Sequence, residues 1–554
     1  MKMQPKSISR SSLGLPLIVF GLVAITLSLT PWVNSDSLII PKGIILFCLA
    51  AYSLPKLFNL LFNYKLTKGL KLLNILAFLF ILQMLLVMIL TSAPIEQQFF
   101  GRTGRGLGFA TYASLIVLLL ISAYLAIDIK DIQKIIIGIV ISCFLSSLYS
   151  VFQRFGYDIF DWVTATNGII GTLGNPNFQS SFIAMALIPS LVIFQFSRKL
   201  YFLTPILFLF FIFTLYICES TQGYIASIVA LSTLILLYLW YRKKVFFYFY
   251  ACITFILGTI AIFGMLNKGP LSIYLYKTSV QSRGEMWRTG LNTVSDNPLF
   301  GIGLDSFGDY SFKYRDLATV NGINEYTDNV HNFFLQFTIT GGLLLSMIYL
   351  IIILFGLHSF YLVQRKKGTF DSKLAAIFAA WISFQLQSVI SPANISMLAW
   401  NFVITGFIIG HAHSAQFKAK IISQKNTSSF DITRPVGTLL LILSLAIMYP
   451  WYNSDKISWA AKQAQNATAL VQAVQIYPES SVRYIRVAID LYNANLLNES
   501  LIVAKSAVEF NPNSPQGWML ILVNQTASIE ERRSAREQVL KLDPLNKEAA
   551  ALRL

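Results

Sequence analysis

The sequence predicts an all-α membrane protein, a polytopic bundle of about 12–13 transmembrane helices followed by a carboxy-terminal helical-repeat domain. Of its 554 residues, 55% are hydrophobic and only 12% are charged, against about 25% charged residues in ordinary soluble domains. Apolar runs long enough to cross a bilayer, about 20 residues each, recur from Leu13 to Pro450. The mean hydropathy of +0.61 agrees with a surface covered largely by lipid.

The basic residues are distributed as in a membrane protein, although the formal net charge of +17 raises the question of nucleic acid. A nucleic-acid-binding protein concentrates Lys and Arg on one soluble face, whereas here they form short clusters between apolar runs. Seven predicted inner segments hold 22 Lys and Arg residues, and the short outer loops hold only Arg102 and Arg105, or three residues with Arg154. This alternation follows the positive-inside rule. No nucleic-acid partner is therefore expected.

Thirteen spans account for the alternation of charge. The amino terminus, with Lys2, Lys6 and Arg10, is predicted to lie in the cytoplasm, and the carboxy-terminal end outside it. A long polar loop, residues 267–330, is placed outside between the ninth and tenth spans. The last inner cluster before the thirteenth span contains Lys418, Lys420, Lys425 and Arg434.

The carboxy-terminal segment changes character at about residue 454, where no further spanning run follows. Pro478, Pro512 and Pro544 recur 34 and then 32 residues apart, after stretches with alanines and aliphatic residues at helical spacing. This period resembles that of tetratricopeptide repeats, in which proline ends the second helix of each pair. The sequence thus divides into a transmembrane domain, residues 1–453, and an extracytoplasmic helical-repeat domain, residues 454–554.

Four polar motifs lie in the predicted outer loops. They are Gly101–Gly108 (GRTGRGLG), Gly171–Phe178 (GTLGNPNF), Ser282–Trp287 (SRGEMW) with Asp296–Gly303 (DNPLFGIG), and His331–Gln336 (HNFFLQ) with Gly341-Gly342. In this order and spacing they resemble the characteristic domain of the O-antigen ligase family. That family includes O-antigen ligases, some polysaccharide polymerases and O-linked protein oligosaccharyltransferases. The resemblance covers roughly residues 10–450.

The resemblance implies an enzyme of the bacterial cytoplasmic (inner) membrane that uses an undecaprenyl-diphosphate-linked glycan as donor. Arginine suits the diphosphate because its planar fork donates paired hydrogen bonds and stays charged beside lipid; Arg283 is the first candidate. Arg102 and Arg105 are further candidates for the same diphosphate or for lipid headgroups. His331 is predicted to be the general base that accepts the proton of the acceptor hydroxyl, since it occupies the position of the histidine implicated in catalysis in the family.

One position departs from many O-antigen ligases, which carry an arginine where this chain has Gln222. Glutamine can hydrogen-bond a phosphate or a sugar but cannot neutralise charge. Asn175 is predicted to cap the sixth span, with sugar contact as an alternative. Four loop acids, Asp305, Asp309, Asp316 and Asp328, show no clustered metal-binding pattern and are expected to be solvated. Neither a metal nor a cofactor is expected.

The sequence therefore favours an inverting, metal-independent glycosyltransferase. A lipid A-core acceptor would make it a ligase, a second glycan a polymerase, and a protein Ser or Thr an oligosaccharyltransferase. The helical-repeat tail favours a protein partner or protein acceptor slightly, because such surfaces commonly bind proteins. A bicarbonate-type transporter is the alternative of a different class, but it would place ionisable residues near the bilayer midplane, whereas here they cluster in outer loops.

Overall fold

The computed structural model describes residues 14–63, 66–126, 130–160, 162, 169–413 and 432–552. This part of the chain forms α-helices and two short 3₁₀ helices, without strands. The all-α prediction is therefore confirmed. The predicted cytoplasmic charges Lys2, Lys6, Arg10, Lys418, Lys420 and Lys425 lie outside the described residues.

The helices are numbered here in chain order. Up to His413 they are α1 (Leu15–Leu27), α2 (Ile40–Asn63), α3 (Lys68–Leu90), α4 (Ile95–Phe100), α5 (Phe109–Leu125), α6 (Lys130–Arg154), α7 (Pro176–Val192), α8 (Leu203–Ile217), α9 (Thr221–Arg242), α10 (Lys244–Met265), α11 (Ser272–Leu275), α12 (Thr278–Asp296), α13 (Phe307–Tyr314), α14 (Leu317–Val320), α15 (Phe333–Lys367), α16 (Ser372–Ile390) and α17 (Ile395–His413). The remainder are α18 (Thr433–Gln463), α19 (Ala467–Ala473), α20 (Ser481–Asn493), α21 (Leu497–Phe510), α22 (Pro515–Val523), α23 (Ile529–Leu542) and α24 (Lys547–Ala551).

Eleven of the described helices are long and apolar enough to cross a membrane: α2, α3, α6 to α10 and α15 to α18. Together with the shorter apolar helices α1 and α5, they fall at the thirteen predicted positions. Helices suit these segments because no water is present in the bilayer core, so every backbone N–H and C=O must find a partner within the segment. The chain is a multi-pass membrane protein.

Helix α17 lies at the centre of the bundle and packs closely against α5. Its Gly406 and Gly410 stand four residues apart, and a Cβ at either position would lie 2.1 or 2.0 Å from the carbonyl oxygens of Leu119 and Ala123. Small residues at this spacing let two helix backbones approach each other in a membrane protein. The close contact between α5 and α17 thus depends on glycine at positions 406 and 410.

A buried lysine joins the first two spans. Lys42, near the start of α2, is fully buried, and its Nζ donates to the carbonyl oxygens of Ile25 and Thr26 at 3.1 and 3.0 Å. These carbonyls belong to the last turn of α1, where the helix leaves them without intrahelical partners. Lys42 was not singled out from the sequence, and its contacts are those of a cation that caps a helix carboxyl end.

The last spanning helix, α18, continues without interruption into the tail. It passes Pro450 and ends at Gln463, so the predicted domain boundary at residue 453 lies inside this helix. Beyond it, α20 packs against α21 and α22 against α23, around a separate apolar cluster that includes Leu491, Ala504 and Leu522. The tail is therefore built of helical pairs; that these pairs are tetratricopeptide repeats stays a prediction.

The tail is docked on the loops at one end of the bundle. Arg315 forms an ion pair of 2.8 Å with Asp543, and both side chains are largely buried. The hydroxyls of Thr103 and Ser480 lie 2.7 Å apart. The helical pairs therefore pack against the loops at this end of the bundle.

Replacing Gly406 by alanine is expected to destabilise the bundle. The new methyl group would force α17 away from α5, and overpacking of this kind costs about 1–3 kcal/mol. Thermal unfolding of the purified protein in detergent measures the effect. Gly258→Ala on α10 is the matched control, because a Cβ there meets no atom within 4 Å. Equal melting temperatures for the two variants would contradict the close contact.

Candidate active site

The motif-bearing loops predicted to share one side of the membrane meet at one end of the bundle. Arg102 in the first motif reaches Asp309 in the long loop. The Asn394 side chain, between α16 and α17, donates to the carbonyl of Leu173 in the second motif at 3.1 Å. The bundle thus gathers in one place residues that are as much as 221 positions apart in sequence.

Helix α15 is broken at Gly342, whose backbone has φ +80° and ψ 169°. The backbone of the DNPLFGIG segment enters the break. Leu343 N donates to the carbonyl of Pro298 at 2.8 Å, and Ile302 N donates to the carbonyl of Ile339 at 3.0 Å. A Cβ on Gly342 would lie 2.0 Å from a backbone oxygen of this segment, so only glycine fits here.

Gln83 of α3 completes the junction between the two segments. Its Nε2 donates to the carbonyls of Leu299 and Gly341, each at 3.0 Å. Because two backbone segments and a buried side chain meet here, the short amino-terminal part of α15 before the break is held in a fixed position. That half-helix begins at Phe333, and the side chain of Asn332 caps it by accepting from Leu335 N at 3.0 Å.

His331 lies at the mouth of this half-helix in a left-handed backbone conformation, with φ +53°. Its backbone N donates to Oδ1 of Asn329 at 2.8 Å, and no described residue hydrogen-bonds to its imidazole. Burial first, and then the charges of Arg283 and Arg105, lower the pKa of His331 to about 4, while Asp328 opposes the shift. The imidazole is therefore neutral at neutral pH and able to accept a proton.

Arg283 projects from α12 towards the end of α16. Its Nε donates to the carbonyl of Ile390 at 3.0 Å, and its Nη1 to the carbonyl of Ser279 at 2.7 Å. Burial lowers the pKa of the guanidinium, an effect opposed by Glu325, but arginine stays charged in proteins. Among the described residues no carboxylate lies within ion-pair distance of it. Arg283 is thus a half-buried cation whose fork is not fully used.

Arg102 and Arg105 are held differently. The Arg102 side chain is only 3% exposed; its Nη1 lies 2.7 Å from Asp309, and its Nη2 donates to the hydroxyl of Tyr326 at 2.8 Å. Arg105 donates from Nε and Nη2 to the two oxygens of Asp328 at 3.1 and 2.6 Å. In this arrangement Arg102 holds two loops together, while Arg105 stays partly accessible. That either arginine contacts a diphosphate or a lipid headgroup stays a prediction.

A comparison with known protein families matches the part of the chain that contains Arg283 and His331. Residues 206–350 match the family model described as O-antigen ligase. The chain carries a domain of the O-antigen ligase family. The matched segment contains both Arg283 and His331, and it supports a membrane glycosyltransferase of the O-antigen ligase or polymerase type. No curated protein sequence matches the chain significantly.

Gln222, which replaces an arginine found in many O-antigen ligases, is buried at the start of α9. Its Oε1 accepts from Nε2 of Gln387 on α16 at 2.8 Å. Gln387 lies one turn before Ile390, the residue whose carbonyl binds Arg283. The substituted position is therefore connected through α16 to the candidate diphosphate contact, although Gln222 does not touch Arg283 itself.

Asn175 has the capping role predicted from the sequence. Its side chain accepts from Asn177 N at 2.8 Å at the start of α7. Asn177 in turn accepts from the Ser220 hydroxyl at 2.7 Å, immediately before α9. The two asparagines therefore fix the turn that carries Gln222, and a sugar contact of Asn175 stays a prediction.

The expectation of solvated loop acids is wrong for three of the four. Asp305 and Asp309 are buried, with 5% and 2% exposure, and Asp328 pairs with Arg105. Only Asp316 is of the expected kind, in a partly exposed ion pair with Arg288. In the sequence, Arg102 and Arg105 lie three residues apart and Asp305 and Asp309 four apart, and this spacing was a possible sign of pairing. Which residues pair is set by the packing of two distant loops.

The buried acids organise the Gly101–Gly108 loop electrostatically. Asp305 accepts from the backbone N–H groups of Arg102 and Leu107 at 2.7 and 3.1 Å. Burial raises the pKa of Asp305 to about 6 against the opposing effect of these hydrogen bonds. Burial also favours the neutral form of Asp328, but the guanidinium of Arg105 outweighs it and lowers the pKa of Asp328 to about 2. Asp328 therefore remains an anion beside His331.

Replacing Asp309 by asparagine is expected to destabilise the contact between the Gly101–Gly108 loop and the long loop, because it leaves the buried Arg102 guanidinium without its counter-ion. Breaking one side of a buried ion pair costs about 3–5 kcal/mol. Thermal unfolding in detergent, with limited proteolysis of the long loop, measures the loss. Asp316→Asn is the matched control in the same loop, since its exposed pair is worth at most about 1 kcal/mol. A loss for Asp309→Asn no larger than for the control would contradict a structural role.

Proposed function

We propose that this protein moves a glycan from an undecaprenyl-diphosphate donor to an acceptor hydroxyl, on the outer face of the bacterial cytoplasmic (inner) membrane. The supporting observation is that Arg283, which has no carboxylate partner among the described residues, lies near the neutral imidazole of His331. Arg283 and His331 approach closely enough for the charge of one to lower the pKa of the other. The matched O-antigen ligase domain contains both.

Arg283 is assigned to the departing diphosphate. Negative charge grows on the phosphate oxygen as the glycosidic bond breaks, and a preorganised donor in a site of low dielectric stabilises this charge more than water does. The two backbone carbonyls that bind Arg283 orient its fork without neutralising it. Charge compensation is thus assigned to the guanidinium instead of a metal ion.

His331 is assigned to the acceptor. Its imidazole takes the proton of the attacking hydroxyl, the hydroxyl oxygen bonds to the anomeric carbon, and the bond from that carbon to the diphosphate oxygen breaks on the opposite side. One displacement of this kind inverts the anomeric configuration. Binding of the diphosphate at Arg283 would cancel part of the positive field on His331, so the basicity of the imidazole should rise when the donor is in place.

The acceptor can be lipid A-core, a second glycan or a protein hydroxyl, corresponding to ligase, polymerase and protein O-oligosaccharyltransferase. The helical tail, docked through Arg315 and Asp543 beside the site, supports an acceptor or partner that contacts this tail. Incubating the purified protein with its lipid-linked glycan and each acceptor class in turn, and analysing the products by mass spectrometry, distinguishes the three.

A bicarbonate-type transporter is the less favoured function. Such a protein would need ionisable groups accessible near the membrane midplane. Lys42 is a buried cation in a spanning helix, but both of its hydrogen bonds go to carbonyl oxygens at the carboxyl end of α1. Uptake of labelled bicarbonate into proteoliposomes without any lipid-linked glycan would favour transport.

Replacing His331 by alanine is expected to lower the rate of glycan transfer by about 10²–10⁴-fold, the usual contribution of a general base. Arg283→Ala is expected to abolish detectable transfer, since the diphosphate loses its cation. Transfer from purified lipid-linked donor is the measurement, with membrane insertion checked in parallel. The matched controls are His358→Ala and Arg288→Ala, which change exposed side chains. Normal product from either site variant would overturn the assigned roles.

The titration of His331 provides a test that does not require turnover. In the protein without donor, the imidazole is expected to titrate near pH 4. With the donor bound the pKa should be higher, so transfer at saturating donor should be lost as the pH falls through that higher value. Arg283→Gln removes a neighbouring cation and should raise the pKa of His331 towards the ordinary value of about 6.5. NMR of ¹³C-labelled histidine, in a background where the other three histidines are replaced, follows the titration. An unchanged pKa in Arg283→Gln would contradict the proximity of the two groups.

A further inference from the structure

Asp328 lies three residues before His331 in the long loop, and the Gly101–Gly108 loop holds its side chain in place. Arg105 donates from Nε and Nη2 to both oxygens of the Asp328 carboxylate, at 3.1 and 2.6 Å. Paired hydrogen bonds of this kind fix the orientation of a carboxylate as well as its position. The two side chains are 21% and 25% exposed, so the pair still reaches solvent.

Tyr326, two residues before Asp328, is bound to the same loop. Its hydroxyl accepts from Nη2 of Arg102 at 2.8 Å. A Cβ on Gly308 would lie 2.8 Å from that hydroxyl oxygen and 3.0 Å from Cβ of Asp328, so the glycine leaves the room that this packing requires. The two arginines of the GRTGRGLG motif thus bind alternate residues of one segment, the segment that leads to His331.

Local hydrogen bonds extend this order as far as His331. Oγ1 of Thr327 accepts from Asn329 N at 3.2 Å, and Oδ1 of Asn329 accepts from His331 N at 2.8 Å. Asn329 and Val330 are 1% and 0% exposed, and Val330 N donates to Oε1 of Gln336 at 3.1 Å. Because the residues between them are buried and hydrogen-bonded, the carboxylate and the imidazole keep a fixed relation to each other.

The charges around the imidazole of His331 differ in their effect on a proton there. Arg283 on α12 and Arg105 on the first motif loop lower the pKa of His331, as burial does, whereas Asp328 raises it. The coupling is reciprocal, since His331 is among the groups that lower the pKa of Asp328. Both residues belong to the described part of the chain and no hydrogen bond joins them, so the carboxylate acts on the imidazole through space.

We infer that Asp328 is a positioning residue for glycan transfer, which ties the His331 segment to the Gly101–Gly108 loop and stabilises the imidazolium that forms when His331 takes the proton of the acceptor hydroxyl. This inference rests on the proposed role of His331 as general base. The proton passes from the hydroxyl oxygen to the imidazole, so a cation arises near two arginines that repel it. An anion already oriented beside this cation lowers the barrier, because it need not reorganise during the step.

Asp328 itself takes no proton in this step. The guanidinium of Arg105 lowers the pKa of Asp328 to about 2 against the opposing effect of burial, so the carboxylate is ionised wherever the imidazole is neutral. Arg105 therefore keeps the anion both charged and oriented.

Titration of His331 tests the inference without turnover. The full-length protein in nanodiscs carries Arg283→Gln, which should bring the titration towards the ordinary range, and the other three histidines are replaced. Adding Asp328→Asn removes the anion but preserves the shape of the side chain. It is expected to lower the proton affinity of the imidazole about tenfold, the lower end of the effect of a neighbouring opposite charge. Asp316→Asn, in an exposed pair of the same loop, is the matched control and should leave the titration unchanged in ¹³C NMR.

Transfer kinetics test the same residue in the protein with Arg283 intact. Asp328→Asn is expected to lower kcat about tenfold or more, without raising the KM for the lipid-linked donor. It should also move the acidic limb of the pH profile to lower pH, because a less basic imidazole is protonated later as the pH falls. Asp328→Glu retains the charge and should recover most of the lost rate. Thermal unfolding in detergent checks that both variants are folded.

An Asp328→Asn protein in which His331 titrates as it does with Asp316→Asn would overturn the inference, even if glycan transfer is observed. Equally low rates for Asp328→Asn and Asp328→Glu would also overturn it, since they indicate a purely structural role. Conversely, a lowered proton affinity of His331 in a protein that transfers no glycan would support the coupling of the two side chains and overturn the proposed function.

Discussion

The break in α15 at Gly342 is the constraint on which the candidate site depends. A transmembrane helix cannot leave its backbone groups unpaired in lipid, so a break persists only where other groups satisfy them. Here the backbone of residues 298–302 and the side chain of Gln83 do so. The amino-terminal part of α15 is thereby held at a fixed angle, and His331, two residues before it, takes a left-handed conformation that few residues other than glycine adopt readily.

The charges of the motif-bearing loops divide into two groups with different consequences. Arg102 and Asp309 are almost fully buried against each other and hold the Gly101–Gly108 loop to the long loop. Among the described residues, Arg283 has two backbone carbonyls as direct partners and no carboxylate within ion-pair distance. A buried ion pair fixes loops in position at the cost of desolvation, whereas an uncompensated cation near a neutral histidine is suited to bind an anion. The first group therefore positions the second.

The tail is also part of this arrangement, and one of its contacts with the long loop is an ion pair. Asp543, next to the end of α23, binds the guanidinium of Arg315 in the long loop. This ion pair neutralises Arg315, while Arg283 on α12 has no carboxylate within ion-pair distance among the described residues. A tail that only anchored a partner protein would not need to contact the long loop in this way.

Much of the fold follows from the sequence because lipid imposes a simple rule. Apolar runs in a bilayer must be helices, and clusters of basic residues separate them, so the positions of the thirteen apolar helices and the common end of the motif loops were predictable from residues near one another in the chain. The capping role of Asn175 was equally local. Which charges neutralise each other was not local: Arg102 and Asp309 are 207 residues apart, and Asp543 reaches Arg315 from the tail. Tertiary packing alone decided that Asp305 and Asp309 are buried, that Asp328 pairs with Arg105, and that Arg283 has no carboxylate within ion-pair distance among the described residues, because pairing and burial depend on which distant segments meet.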